Sequence, residues 1–591
     1  MDVESYTHYQ ECMKQPIRPG LVLLESHNGL DLGGNLFAMA RCISASEKLS
    51  SLRLQIVCLA DNEEWMRQRC SQYGVKAERF VIRETPAYFE ALARAQYLLS
   101  DVAFHPLFRK RPDQRCFGTW HGTPLKTLGF DFMEDAYVAA NQKRGFLLSD
   151  VLVMPNAYTW EKIRAAYQLD QLFQGQVLFG GYPRNAVFFQ AERREEMRRQ
   201  LDDRGRRIIA YMPTWRGKVI DVRAEEQTRQ LQEMLREIDE GLDEDTLFLC
   251  KLHRLNSKDI DFSAFRHVRP FPDEWETYDV LCAADVLVSD YSSVIIDFLC
   301  TGRRIVLFCY DHDEYVGKRG CYIDPAQLQL PMAQTASALN ALLQRDLPCP
   351  DPQLRERFVH EDGADACEAI CHALFLGEER CVRADHTLLP RRRALLFCGE
   401  LSKGKMSDSL FFYLDTLEEE VHITFMNHLF KEKWERLQQF PGLDLMPMYM
   451  YQKRYAHVSK AEEGLLARIR ETLRRKEKVS KADLRLLERQ GEREYSRYLY
   501  QGEFALFVRY GGLDIESLKW LTVFPGERRL VLHDVMVQKA KNNAEFAFYL
   551  KRAAEAADLL IYADHSVLAM AEGAYEKLPC RQLVMDLYAG L

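Results

Sequence analysis

No apolar run in this sequence approaches the roughly 20 residues that cross a bilayer, and residues 1–19 lack the hydrophobic segment of a secretory leader. A cytoplasmic protein, soluble or peripheral on the inner face of a membrane, is the expectation. Sixteen cysteines are present without a single C-x-x-C pair, and Cys58, Cys250, Cys309 and Cys398 lie inside apolar runs. That pattern predicts reduced core thiols rather than a disulfide framework or zinc. An excess of positive charge is also missing. The formal net charge of −8 argues against a nucleic-acid binder, so a polyanionic substrate must be met by local basic groups. The loop 27–35 holds Gly29, Gly33 and Gly34 without G-x-G-x-x-G spacing, which excludes a dinucleotide fingerprint and leaves a place beside an acceptor. No low-complexity tract or short repeat interrupts the chain.

What is present is a chain of 591 residues, enough for three or four domain-sized units. After a polar lead, 1–20, short apolar runs at 21–25, 54–59, 79–82, 97–99, 115–120, 151–154 and 177–179 alternate with helical stretches. This is the pattern of a parallel, doubly wound sheet over 21–190. An Arg- and Glu-rich helix at 192–203 leads to a second series at 208–211, 247–252, 286–289 and 305–309, within a unit spanning 191–377. A charged, Pro-punctuated linker, 378–393, precedes a third α/β unit, 394–591. Its strands are expected at 394–398, 504–508, 529–533, 559–562 and 582–585, and a solvated helical hairpin at 468–494. The fold class is α/β, with two Rossmann-like halves facing across a cleft plus a C-terminal α/β unit that looks like half a cleft. Fold alone does not fix function.

Chemistry concentrates at strand ends. In F-G-T-W-H-G-T-P-L-K-T-L-G-F-D, 117–131, Thr123 reads as a helix N-cap and Pro124 as the first helical residue, which puts His121 on the crest between strand and helix. With an ordinary pKa near 6.5, a histidine there is read as an acid/base group. Gly122, Thr123, Lys126 and Arg115 are assigned to the acceptor side; the basic run 109–115 reads equally as a solvated loop. His253 ends the strand 247–252 in the other half, where a closed cleft brings it to the same substrate, and His533 ends its strand in the third unit much as His121 does. His105, His267 and His312 lack such a setting and are read as structural. Ser292 and Ser293 open a helix and either grip a diphosphate or simply cap it. Lys318 and Arg319, on the loop after the next strand, supply positive charge to the same phosphates or are surface. Asp290 and Asp297 contact donor hydroxyls or only orient the loop, and Arg216 stands at the tip of P-T-W-R on the donor side. The D-H-D at 311–313 resembles a metal-binding D-x-D only superficially, so no metal or other cofactor is expected. Arg391 to Arg393 offer one weak contact to anionic lipid.

Taken in order, W-H-G-T-P-L-K-T-L-G, G-Y-P-R-N, P-T-W-R, K-L-H and S-D-Y-S-S-V-I-I-D-F make residues 21–375 resemble the CDP-glycerol glycerophosphotransferase family, the teichoic acid polymerase and primase group. The resemblance implies a GT-B fold, a CDP-activated polyol phosphate donor and metal-independent transfer to a lipid-linked anionic polyol phosphate or glycan at the cytoplasmic membrane face. It implies that His121 and His253 are essential, that Ser292 and Ser293 lie near the donor diphosphate, and that Arg319 is the basic residue of an R-G-x-Y segment. Arg254 stands where the family commonly has proline after the second histidine. The third unit is similar to the N-terminal half of a glycosyltransferase. The expected activity is transfer of glycerol phosphate with release of CMP. CDP-ribitol or another CDP-polyol is the alternative donor; a sugar-nucleotide glycosyltransferase and a non-catalytic scaffold are the alternatives of another class. Oligomeric state is not readable.

Overall fold

The structure, a computed structural model, describes residues 3–132, 136–202, 204–214, 224–252, 260–384, 392–401, 404–418, 420–429, 435–437, 439–440, 442–446, 457–499, 503–575 and 578–589. Its frame is three sheets, built where short Val-, Ile- and Leu-rich runs are buried on both faces. The first contains β1 (Arg18–Glu25), β2 (Arg53–Cys58), β3 (Ala77–Ile82), β4 (Ala95–Ser100), β5 (Arg115–Thr119), β6 (Val151–Met154) and β7 (Gln176–Phe179). The second contains β8 (Arg207–Met212), β9 (Thr246–Cys250), β10 (Val268–Pro270), β11 (Val286–Ser289), β12 (Arg304–Phe308) and β13 (Met332–Ala333). After β14 (Val382–Arg383), the third is built from β15 (Arg393–Leu401), β16 (Glu420–Leu429), β17 (Leu443–Leu445), β18 (Leu506–Arg509), β19 (Glu527–Leu532), β20 (Leu559–Tyr562) and β21 (Arg581–Val584).

All three sheets share one parallel topology, to which the first adds β14 at its edge. Their orders, β3-β2-β1-β4-β5-β6-β7-β14, β10-β9-β8-β11-β12-β13 and β17-β16-β15-β18-β19-β20-β21, each reverse direction beside the first strand of the series. Ligands of such sheets gather beyond the carboxyl ends at that reversal. The crevices to inspect are therefore β1/β4, β8/β11 and β15/β18.

Several boundaries differ from the sequence reading. The lead is structured: the helix Val3–Met13 buries Tyr6 and Tyr9. The helix Ala366–Phe375 returns to the first half, where Ile370 and Cys371 join a core with Val22, Leu36 and Ile56. Part of the expected linker pairs antiparallel to β7 as β14. The third unit is bound firmly to the first, since one apolar core runs from Trp120, Phe146 and Trp160 into Leu396, Tyr413 and Leu445. Lys143 Nζ donates to the Leu445 carbonyl at 3.0 Å, and burial pushes its ammonium down to about 8. The charged stretch forms the expected helical hairpin, Lys460–Arg474 and Lys481–Leu499. One face of it is not solvated: fully buried Glu494 is held at 2.7 Å by Arg497 and at 3.0 Å by Arg493, and Tyr6 donates to it at 3.3 Å.

Candidate active site

His121 stands two residues past β5, beside the β1/β4 crevice. The ring lies against Trp120, with centroids 4.1 Å apart, and 6.3 Å from the ring of His27. Its Nδ1 is 3.0 Å from the Asp101 backbone carbonyl. A carbonyl only accepts, so Nδ1 carries the hydrogen and Nε2 is left as the nitrogen able to take a proton. His121 is solvent-exposed, yet the protein packed around its ring costs its charged form hydration. Desolvation there is the largest influence and lowers its pKa from the ordinary value; Asp101 opposes the shift, and His27 and Arg184 add to it. The group is thus neutral at neutral pH, the form a general base needs.

The helix expected at Thr123 does not form. Residues 125–128 instead spend their backbone groups on the other half: Tyr322 N–H donates to the Leu125 carbonyl at 2.8 Å, Thr127 N–H donates to the Gly320 carbonyl at 3.2 Å, and Lys126 bridges Cys321. Thr127 Oγ1 also donates to the Arg319 carbonyl at 2.6 Å. Gly129 then takes φ +55, and a β-carbon there would press on the Ala166 carbonyl, so the chain makes only a single 3-10 turn, Gly129–Asp131, in place of the expected α-helix. Among the described residues the next α-helix begins at Ala136.

This docking joins the two histidine- and serine-bearing stretches. A β-carbon on Gly122 would lie 3.0 Å from the Ser293 β-carbon and closer still to its hydroxyl. Only glycine lets the W-H-G crest and the D-Y-S-S turn approach so nearly. Gly122→Ala is expected to wedge them apart and lower kcat/KM by about 10²-fold, the loss that a misplacement near 1 Å produces. Steady-state kinetics on the folded variant checks it, and an unchanged kcat/KM would show that the approach is dispensable.

A buried network fixes the crest. Arg184, in the G-Y-P-R-N turn, donates from Nη1 to the His121 carbonyl at 3.0 Å and from Nη2 to Asp297 Oδ2 at 2.8 Å. Tyr278 donates to the same Asp297 oxygen at 2.6 Å. Asn35 donates to the Trp120 carbonyl at 2.7 Å and accepts from Arg184 N–H at 3.3 Å. Burial alone would lower the Arg184 pKa, but Asp297, Tyr278 and Tyr182 outweigh it and hold the guanidinium well above its usual range. Beneath His121, Asp101 accepts from Ser26 Oγ at 2.8 Å and from His27 N–H at 2.9 Å, which holds His27 at φ 44. The loop 27–35 therefore does lie beside His121.

Other expected site residues are placed differently. Arg115 begins β5, four residues at about 3.3 Å each before its carboxyl end, so it lies at the opposite end of the strand from His121 and lines a separate pocket with Gln176 and Phe375. Within the basic run, Lys110 pairs with Asp150 at 2.7 Å, and Arg111 donates to the Gln15 carbonyl at 2.8 Å. Lys318 and Arg319 close the helix His312–Arg319 instead of lying on a loop. Lys318 is exposed and pairs with Glu314, while the Arg319 guanidinium lies 3.9 Å over the Phe132 ring. Asp290, fully buried, accepts from Thr214 N–H at 2.8 Å and Tyr291 N–H at 2.5 Å, so it ties the chain just past β8 to the D-Y-S-S turn at the β8/β11 crevice. Ser292 and Ser293 are half-buried and precede a helix of only five residues, Val294–Phe298. Thr123 is buried without capping a helix. Arg216 and His253 lie outside the described residues.

In the D-H-D segment, His312 Nε2 contacts Asp324 at 2.9 Å and Tyr291 donates to Asp311 at 3.1 Å. His533 does follow its strand, but it is fully buried with Nδ1 at 2.7 Å from the Tyr588 hydroxyl, and burial pushes it down to about 3. At the β15/β18 crevice Gly399 presses against Gly512, where a β-carbon on Gly512 would be 3.0 Å from the Gly399 α-carbon.

Two Rossmann-like halves meet at a histidine crest and a serine turn, which is a GT-B-like fold. The chain belongs to the CDP-glycerol:poly(glycerophosphate) glycerophosphotransferase family, whose model matches residues 7–361. It is 25% identical over 391 residues to a teichoic acid poly(glycerol phosphate) polymerase of Bacillus subtilis (strain 168), covering 62% of this chain and 50% of that protein. It is 28% identical over 321 residues to a teichoic acid glycerol-phosphate transferase of Staphylococcus aureus (strain NCTC 8325 / PS 47), covering 50% of this chain and 80% of that one. The solved wall teichoic acid polymerase TagF shares the fold with a TM-score of 0.53 at 21% identity, over 63% of this chain and 93% of that one. The chain spans about half the length of the Bacillus polymerase it matches.

Proposed function

We propose that this protein transfers glycerol phosphate from CDP-glycerol to a hydroxyl of a lipid-linked glycerol phosphate or saccharide acceptor, releasing CMP, at the inner face of a membrane. The observation that carries this reading is the meeting of His121, in its Nε2-basic form, with the Ser293 turn of the facing half across Gly122. The acceptor oxygen attacks the phosphorus that bears the glycerol, His121 Nε2 takes the hydroxyl proton, and the bond from that phosphorus to the bridging oxygen breaks as CMP departs. Ser292, Ser293 and the donor-side residues His253 and Arg216 bind and balance charge on the phosphates, a positional and electrostatic contribution. No metal is assigned a step, so adding or withholding Mg2+ should leave the initial rate unchanged.

The test is incubation with CDP-glycerol, CDP-ribitol or a UDP-sugar and defined lipid acceptors, with the nucleotide product and acceptor mass measured. CMP and one added glycerol phosphate support the proposal. CMP only from CDP-ribitol, or UDP from a sugar nucleotide, overturns it. The state of His121 also sets a pH profile. Its lowered pKa keeps the base neutral as pH falls through 6.5, so the acid limb of kcat/KM is expected below the ordinary histidine value. A midpoint at or above 6.5 would contradict that assignment.

A further inference from the structure

Away from the crest, three cysteine sulfurs converge. Cys42 lies on the helix Gly34–Ala45, and Cys367 and Cys371, one turn apart on one face, lie on the returning helix Ala366–Phe375. Their sulfurs are all within 4.8 Å of one another, and no other such cluster of His, Cys, Asp or Glu exists among the described residues. Cys367 and Cys371 are buried, whereas Cys42 is half-buried and lines, with Cys367, Arg41 and Glu368, an open cavity of about 500 Å³. His372, the next residue, turns to Glu378 at 3.1 Å and does not join the sulfurs.

We propose that Cys42, Cys367 and Cys371 bind a thiophilic closed-shell cation of the zinc class, with the fourth position open to the cavity. Zinc–sulfur bonds of about 2.3 Å in tetrahedral geometry set the sulfurs about 3.8 Å apart, so the cluster needs to contract by no more than about 1 Å. Soft thiolates select such ions over magnesium or calcium, and metal binding takes up the deprotonated form. A bound ion would clamp the returning helix to the helix whose first residue, Gly34, donates to Glu276 of the other half at 3.2 Å. The role is a staple between these two helices, separate from the transfer chemistry.

The experiment uses the full chain, reduced and stripped of metal, titrated with Zn2+ against a chromophoric chelator, with bound zinc counted by elemental analysis. One equivalent is expected on the wild-type protein, with at least tenfold weaker binding in Cys42→Ser and Cys371→Ser and a raised thermal midpoint only in the wild type. Cys42 is half-buried, so its serine variant keeps the test informative if Cys371→Ser does not fold. Failure to retain zinc, equal retention by Cys42→Ser, or recovery of Cys42 in a disulfide with Cys367 or Cys371 after alkylation of fresh lysate would overturn the proposal. None of these outcomes depends on whether CDP-glycerol is the donor.

Discussion

Replacing His121 with alanine is expected to lower CMP release from CDP-glycerol by about 10²–10⁴-fold, the contribution of a positioned general base, while the protein stays folded. The reason is geometric before it is electrostatic. The Asp101 carbonyl fixes the hydrogen on Nδ1, Trp120 packs against the ring, and desolvation keeps Nε2 unprotonated at neutral pH. Alanine removes the proton acceptor but leaves Arg184 bound to the backbone carbonyl of residue 121, so the crest keeps its path. The loss should therefore fall on kcat, with KM for the donor little changed, as for a group that acts in the transition state. Turnover by the alanine variant within a few-fold of wild type, with unchanged thermal unfolding, would show that another group takes the proton.

Much of the frame is legible in the sequence because a doubly wound sheet writes its strands as short apolar runs between turn residues. The stretches 151–154, 286–289 and 559–562 coincide end for end with Val151–Met154, Val286–Ser289 and Leu559–Tyr562. The site is legible only where function and local pattern coincide. His121 follows its strand as read, yet the helix expected after it is replaced by contacts with 319–323, almost two hundred residues away, which no local propensity reports. Arg115 shows a different limit. A position in the right motif can still lie at the wrong end of a strand, and strand direction with a rise of about 3.3 Å per residue separates the two. The thiol cluster escapes a C-x-x-C search because two of its members are spaced for one helical turn and the third is over three hundred residues distant. His27 and Tyr278 carry no motif of their own, and Arg184, although inside G-Y-P-R-N, is not singled out by it; what marks all three is the partner each finds after folding.

Asp297→Ala should be the most destabilising single change at the junction of the halves, by about 3–5 kcal/mol, the range for removing one partner of a buried ion pair. Both members are buried, with Asp297 1% and Arg184 7% exposed, so alanine strands a guanidinium where water cannot replace the carboxylate. The Tyr278 hydroxyl loses its acceptor at the same time. Transfer should fall as well, since the guanidinium that holds the His121 carbonyl loses its own anchor. Asp297→Asn, which keeps an acceptor oxygen for both donors but no charge, should lose less than alanine. A double change of Arg184 to Met and Asp297 to Leu should recover part of the stability without recovering activity, because it removes the stranded charge but also the hydrogen bond to the crest. Denaturant unfolding of the four proteins, followed beside kcat, separates the two roles. If the alanine variant unfolded at the wild-type midpoint, the ion pair would not be what holds the two halves in register.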